Sequence, residues 1–184
     1  MNDVNTKVMD IFPKWLQSLG EDVKTMINAT ADEKLDTEVR RYLIGGINYL
    51  FKSLDLIPDG IDDIGYLDDA FVLRLAAKAA LEGDTGSMDA ELRSRLEALA
   101  EDVKLLEEFL APALYKRLDT YSRNLKNGAA RGRMVDEIVE NSEVFQQLAE
   151  DANAFVQEFK APSFSRDEKN LIKLTAFFEA KLPK

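Results

Sequence analysis

The chain has no cysteine and no histidine among its 184 residues. Without cysteine there can be no disulfide, zinc–thiolate site, iron–sulfur cluster or thiol nucleophile. Without imidazole there is no Ser-His-Asp triad, no H-E-x-x-H zinc site and no histidine general base. Any catalysis would rest on carboxylates, a hydroxyl or lysine, together with a hard cation.

Long hydrophobic runs are also missing. No stretch reaches the ~20 apolar residues of a membrane-spanning helix. Residues 42–58 come nearest, but Asn48, Lys52 and Asp55 interrupt them. The start, Met1-Asn-Asp-Val-Asn, lacks the basic and apolar regions of a secretory signal. The expectation is a cytoplasmic protein, not transmembrane.

What is present is ordinary for an ordered globular chain, 46% hydrophobic and 32% charged. The net charge is −10, which disfavours general nucleic-acid binding because an acidic surface repels phosphate. Residues 1–84 carry sixteen acids against nine bases, and residues 85–184 eighteen against fifteen, so the negative charge is concentrated in the first half.

Apolar periodicity points to helix nearly everywhere. Val4, Val8, Ile11, Phe12, Trp15, Leu16 and Leu19 recur at three- and four-residue spacing. Pro13 inside that run predicts a kink or a helix start. Thr30-Ala-Asp-Glu33 has capping-box spacing, so a second helix is placed at Thr30 or at Thr37, with its stripe running from Val39 to Leu54. Gly45 and Gly46 in that stripe predict close approach of another backbone, either within the chain or at a dimer seam.

Pro58 and Asp59-Gly60 end the helix. Asp68 is the expected N-cap of the next, with Leu67 and Val72 at staple spacing. That helix, residues 69–81, is apolar almost all round except for an Arg74, Lys78, Glu82 stripe, and should be the most buried element. The break at 82–87 is the expected domain boundary. Further helices follow at Leu92–Leu110, after Pro112, across 134–159 with a break at Asn141-Ser142, and after a capping box at Ser165–Glu168. Strand-like alternation, internal repeats and low-complexity tracts are missing. The expected fold is an all-α bundle of roughly seven to nine helices. Its two halves, 1–84 and 87–184, would share one core.

Six aspartates fall within fifteen residues: Asp55-Leu-Ile-Pro58-Asp59-Gly-Ile-Asp62-Asp63-Ile-Gly65-Tyr-Leu-Asp68-Asp69. Carboxylates beside core-forming helices must be capped, paired or metal-bound, because an unpaired buried charge is costly. One reading makes Asp55, Asp59, Asp68 and Asp69 a Mg²⁺ or Ca²⁺ site, since hard cations take carboxylate oxygens. The spacing is neither that of an EF-hand nor a D-D-x-x-D motif. The other reading needs no cofactor. In it Asp68 caps its helix, Asp69 faces the helix dipole, Asp55 and Asp59 pair with Arg40, Arg41 or Arg74, and Asp62 and Asp63 are solvated.

The same stretch, from Arg41-Tyr-Leu through Tyr49-Leu-Phe, Asp55-Leu-Ile-Pro58-Asp59 and Gly65-Tyr-Leu-Asp68-Asp69 to Val72-Leu73, resembles the bacterial YkvA-like family, a domain of unknown function. The hallmark is D-[LI]-I-P-D followed by G-x-[LI]-D-D opening a hydrophobic helix, and it covers about residues 39–82 only. Gly60 stands where a bulky residue is usual, and Asp62 where a second proline is usual. Some relatives carry the motif within or beside membrane segments. The resemblance therefore implies a helical module with Pro58 and Gly65 as part of a structural latch, and allows peripheral contact with the inner membrane.

A second candidate is the basic stretch 116–133, with Lys116, Arg117, Arg123, Lys126, Arg131 and Arg133 against Asp119. It could contact anionic lipid, nucleic acid or an acidic partner face, or simply balance acids elsewhere in the fold. Trp15 and the aromatics near Phe177 read as core.

Two functions follow. The first is a non-catalytic interaction or regulatory module with a protein partner or with itself. The alternative is a metal-dependent phosphohydrolase built on the aspartates, with Glu97, Glu101, Asp102, Glu107 and Glu108 available to contribute. Convergence of the aspartates on an open concavity would favour the enzyme; separate caps and pairs would favour the module.

Overall fold

In the computed structural model, which describes residues 3–184, the chain is an all-α bundle of eight helices with one minimal hairpin. Helix α1 (Asp3–Thr30) is continuous across Pro13, so that residue neither starts nor ends it. Its apolar face, including Phe12, Trp15, Leu19, Val23 and Met26, is buried as the periodicity requires.

Helix α2 (Thr37–Tyr49) starts at the second of the two predicted places. Asp36 is its cap, accepting from the Glu38 and Val39 amides. Thr30 closes α1 instead, donating to the Ile27 carbonyl at 2.8 Å. The predicted stripe overshoots at the far end. Helix α2 stops at Tyr49, the turn beyond it is closed by Phe51 and Lys52 amides donating to Asn48 and Tyr49 carbonyls, and Leu54 is left 81% exposed.

Gly45 and Gly46 are demanded by close approach within the chain. A Cβ on Gly45 would lie 2.8 Å from the Leu125 carbonyl carbon and the Lys126 amide nitrogen, and one on Gly46 would lie 2.6 Å from the Ala76 Cβ. Both faces are therefore occupied, and the pair is not a dimer seam.

Helix α3 (Leu67–Leu81) is the central element, with all but Lys78 and Leu81 of its residues buried. Its polar stripe is spent on its neighbours. Arg74 meets Asp22 of α1 and Asp102 of α4 (Ala90–Phe109), Lys78 meets Glu107 of α4, and Glu82 meets Arg123 of α5 (Pro112–Asn124). The break at 82–87 is thus a turn between packed helices. A single hydrophobic cluster runs from Val8 to Leu182 across both halves.

After α5, a 3₁₀ turn (Leu125–Asn127) leads to β1 (Ala129–Ala130) and β2 (Arg133–Met134), an antiparallel pair that periodicity could not reveal at two residues per strand. Arg131 and Gly132 between them both have positive φ, the requirement of a type I′ turn. Helices α6 (Val135–Glu140) and α7 (Ser142–Glu158) are separated at Asn141, which caps α7. Helix α8 (Glu168–Lys181) is capped by Asp167 rather than by Ser165.

Candidate functional site

Residues 50–66 join α2 to α3 and carry the aspartate motif. The turn is held from below by one side chain. The Tyr49 hydroxyl donates to Asp68 Oδ2 at 2.5 Å and accepts from the Leu56 amide at 2.8 Å. Asp68 Oδ2 also accepts from the Ile57 amide at 2.9 Å. The end of α2, the Leu56-Ile57 backbone and the start of α3 therefore meet on two buried polar groups.

This differs from the predicted role of Asp68. The residue at the N-cap of α3 is Tyr66, in left-handed conformation (φ 66°), and no side chain caps this helix. Asp68 lies in the first turn and reaches across to α2. The Leu67–Val72 staple goes with it, since Leu67 is already helical and buried. Tyr49 had no assigned role in the sequence. The only hint was a hydroxyl-bearing aromatic in an otherwise apolar stripe.

Gly65 is required by the turn itself. A Cβ there would stand 2.3 Å from the Asp59 carbonyl oxygen, and its amide closes the turn on the Ile61 carbonyl at 2.9 Å. Ile57 and Ile64 are buried beneath the segment, while Pro58, Asp59, Gly60 and Asp62 face solvent. Asp63, expected to be solvated, instead accepts from the Ser165 amide and hydroxyl at 2.6 and 2.8 Å. Ser165 Oγ also accepts from Asn170 Nδ2 at 3.1 Å, while Asp167 caps α8. Tyr66 packs on Phe155 and Phe159, which fixes the other side of the turn against α7.

None of the arginines foreseen as partners reaches the motif. Arg40 donates to the Thr30 and Val139 carbonyls, Arg41 pairs with Glu38 and Asp136, and Arg74 is committed to Asp22 and Asp102. The four aspartates Asp55, Asp59, Asp68 and Asp69 instead feel one another. Burial is the largest influence on each, and it lifts Asp55 to about 6, Asp68 to about 7 and Asp69 well above the usual carboxylate range. Asp59, exposed at the rim of the turn, is raised by partial loss of hydration and held back by the hydrogen bond from the Tyr66 hydroxyl. The charges of Asp68, Asp59 and Asp55 add to the burial of Asp69. Lys52 is the nearby cation. It lies against the Tyr49 and Tyr121 rings and hydrogen-bonds the Tyr121 hydroxyl at 3.2 Å.

Asp68 and Asp69 are 0% and 2% exposed, and Asp68 Oδ1 and Asp69 Oδ2 are buried without a hydrogen-bond partner. Among the described residues no group of three or more acidic side chains is arranged to hold a metal ion. The α4 acids do not join the cluster: Glu97, Glu101, Asp102, Glu107 and Glu108 each form an ion pair, with Arg93, Lys104, Arg74, Lys78 and Lys7 respectively.

The basic stretch is largely neutralised inside the fold. Arg123 binds Glu82 and Asp119, Lys126 binds Glu38, and Arg131 and Arg133 bind Asp151. Arg117 donates to the Glu179, Leu182 and Pro183 carbonyls at the end of α8. Lys116 and Arg117 also border a surface depression of about 450 Å³ with Thr120, Tyr121 and Asn124.

Comparison with protein-family models, curated proteins and solved structures returned no match. No helix among the described residues is long and apolar enough to cross a membrane.

Proposed function

We propose that this chain is a non-catalytic helical interaction module whose partner-facing element is the 50–66 connection. The observation that supports this reading is the sealing of Asp68 and Asp69. Carboxylates that hold a catalytic metal keep a face open to substrate and water. Asp68 instead spends one oxygen on Tyr49 and Ile57, and both side chains are closed off from solvent.

The outer surface of the connection suits recognition. Leu54, the most exposed large hydrophobic side chain among the described residues, stands next to Asp55 and close in sequence to the exposed Asp59. A protein partner, or a second copy of the chain, fits this pattern better than an anionic lipid surface, whose headgroups the aspartates would repel. The YkvA-like resemblance and a cytoplasmic location belong to the same proposal.

The test is a hydrolysis screen of phosphomonoesters and phosphodiesters with Mg²⁺, Mn²⁺ and Ca²⁺, on the wild type and Asp59→Asn. The expected result is turnover at the level of the blank in both. Metal-dependent turnover that Asp59→Asn abolishes would overturn the module and establish the phosphohydrolase.

A further inference from the structure

Asp69 poses a problem of charge that nothing around it solves. Its side chain is buried on the first turn of α3, and among the described residues its Oδ2 has no partner and it takes part in no ion pair. The titratable groups that act on it come from α3 itself, the connection and α2. Asp68 adjoins it on α3, Asp55 and Asp59 come from the connection, and Tyr66 lies at the cap. Tyr49 comes from α2. Lys52, the cation next along the chain from Tyr49, faces Asp55 and Tyr121 of α5 rather than Asp69. An isolated carboxylate in such a place is far more costly than a neutral carboxyl, so the group takes up a proton rather than ionise.

We propose that the native fold holds a proton on Asp69, and that loss of this proton as pH rises opens the 50–66 connection. Three features of the geometry support the switch. Asp68 already accepts two hydrogen bonds while Asp69 Oδ2 has none, so Asp68 is the first of the pair to give up its proton and Asp69 the one that keeps it. A second charge on Asp69 repels the carboxylate that holds Leu56 and Ile57 through Tyr49. Release of that carboxylate frees the segment covering Leu56, Ile57 and Ile64. An apolar surface beside Leu54 then becomes available. The inference rests on the module reading only for that last consequence; the proton and the opening are measured without any partner.

The experiment follows amide exchange of the full chain at about pH 6 and about pH 8.5, corrected for base-catalysed intrinsic rates, in the wild type and Asp69→Asn. In the wild type, protection of the Leu56 and Ile57 amides should fall by roughly tenfold or more relative to a core amide such as Val103, as one unit of displaced titration implies. In Asp69→Asn, which is neutral at that position at both pH values, only the part due to Asp55 and Asp68 should remain, so the relative fall should be clearly smaller than in the wild type. Equal protection at both pH values in the wild type, or the same fall in Asp69→Asn, would overturn the switch. Should Asp69→Asn not fold, the carboxyl ¹³C resonance of Asp69 in the wild type decides. A neutral carboxyl at about pH 6 that ionises as Leu56 and Ile57 lose protection supports the proposal, and an ionised one at that pH overturns it. Neither failure bears on the module, which the hydrolysis screen tests separately.

Discussion

Tyr49 and Asp68, nineteen residues apart, share a 2.5 Å hydrogen bond in a buried setting, and through it two loop amides are tied to two helices. Of the four aspartates that read as a cation site in sequence, Asp68 is engaged by this geometry in closing the turn.

Tyr49→Phe removes the hydroxyl and leaves the Leu56 amide and Asp68 Oδ2 short of a partner. Buried groups left unsatisfied cost about 1–3 kcal/mol. Urea unfolding should show that loss with an unchanged slope, since the surface exposed on unfolding stays the same.

Gly65→Ala and Gly60→Ala should behave in opposite ways although five residues separate them. The added Cβ at 65 meets the Asp59 carbonyl oxygen at 2.3 Å, and overpacking against fixed backbone costs about 1–3 kcal/mol. At 60 there is nothing within 4 Å, so the substitution should stabilise by about 0.4–1 kcal/mol through the unfolded chain. Thermal melts of the two variants make the comparison.

Arg74 is 2% exposed, stacked 4.2 Å from the Trp15 ring, and bonded to Asp102 at 2.9 Å and the Ala70 carbonyl at 3.0 Å. Asp22 faces it at 3.3 Å, and burial raises that carboxyl despite the ion pair. Arg74→Met leaves Asp22 with its main charge partner gone, a loss on the order of 3–5 kcal/mol. Denaturant unfolding measures it, and Arg74→Lys should recover only part because it lacks the planar fork.

Stability should fall on both sides of a mildly acidic optimum. Asp55 and Asp68 are raised in the fold to about 6 and about 7, so the native state binds more protons than the unfolded chain above the ordinary Asp value of about 3.9. Their contribution is complete below that value and is lost as pH rises through about 6 to 7. Asp63 works in the opposite sense. The Ser165 amide and hydroxyl hold it below the ordinary value, so its contribution is lost as pH falls through its lowered pKa. Melting temperatures across pH check both limbs.

Leu54→Ser should leave stability within about 0.5 kcal/mol, since the side chain is exposed and packs on little. If the connection is the partner-facing element, the same variant weakens binding or self-association, read by ultracentrifugation.

Helix content and most helix starts could be read from the sequence, because caps and apolar spacing are local. Pro112 and Asn141 are placed by such signals, and Thr37 is one of the two starts they offer for α2. The burial of α3 was legible from its nearly unbroken apolar run, and the close approach at Gly45 from the glycine pair alone. What escaped depends on groups far apart in the chain. Asp68 reads as a cap until Tyr49 is brought to it, and Ser165 reads as a cap although it is bonded to Asp63 and Asp167 caps the helix. Leu54 fits the helical stripe by spacing, yet α2 has ended five residues earlier, where the chain turns to bring Leu56 and Ile57 to the latch.

The most direct measurement is the melting temperature of the wild type in EDTA and in excess Mg²⁺, Ca²⁺ or Mn²⁺, repeated on Asp59→Asn. A latch without a resident cation predicts the same melting temperature in every condition and little change in Asp59→Asn. A ligand at a hundred times its dissociation constant adds about 2.7 kcal/mol, so a cation site could not be missed. A metal-dependent rise that disappears in Asp59→Asn would contradict the account.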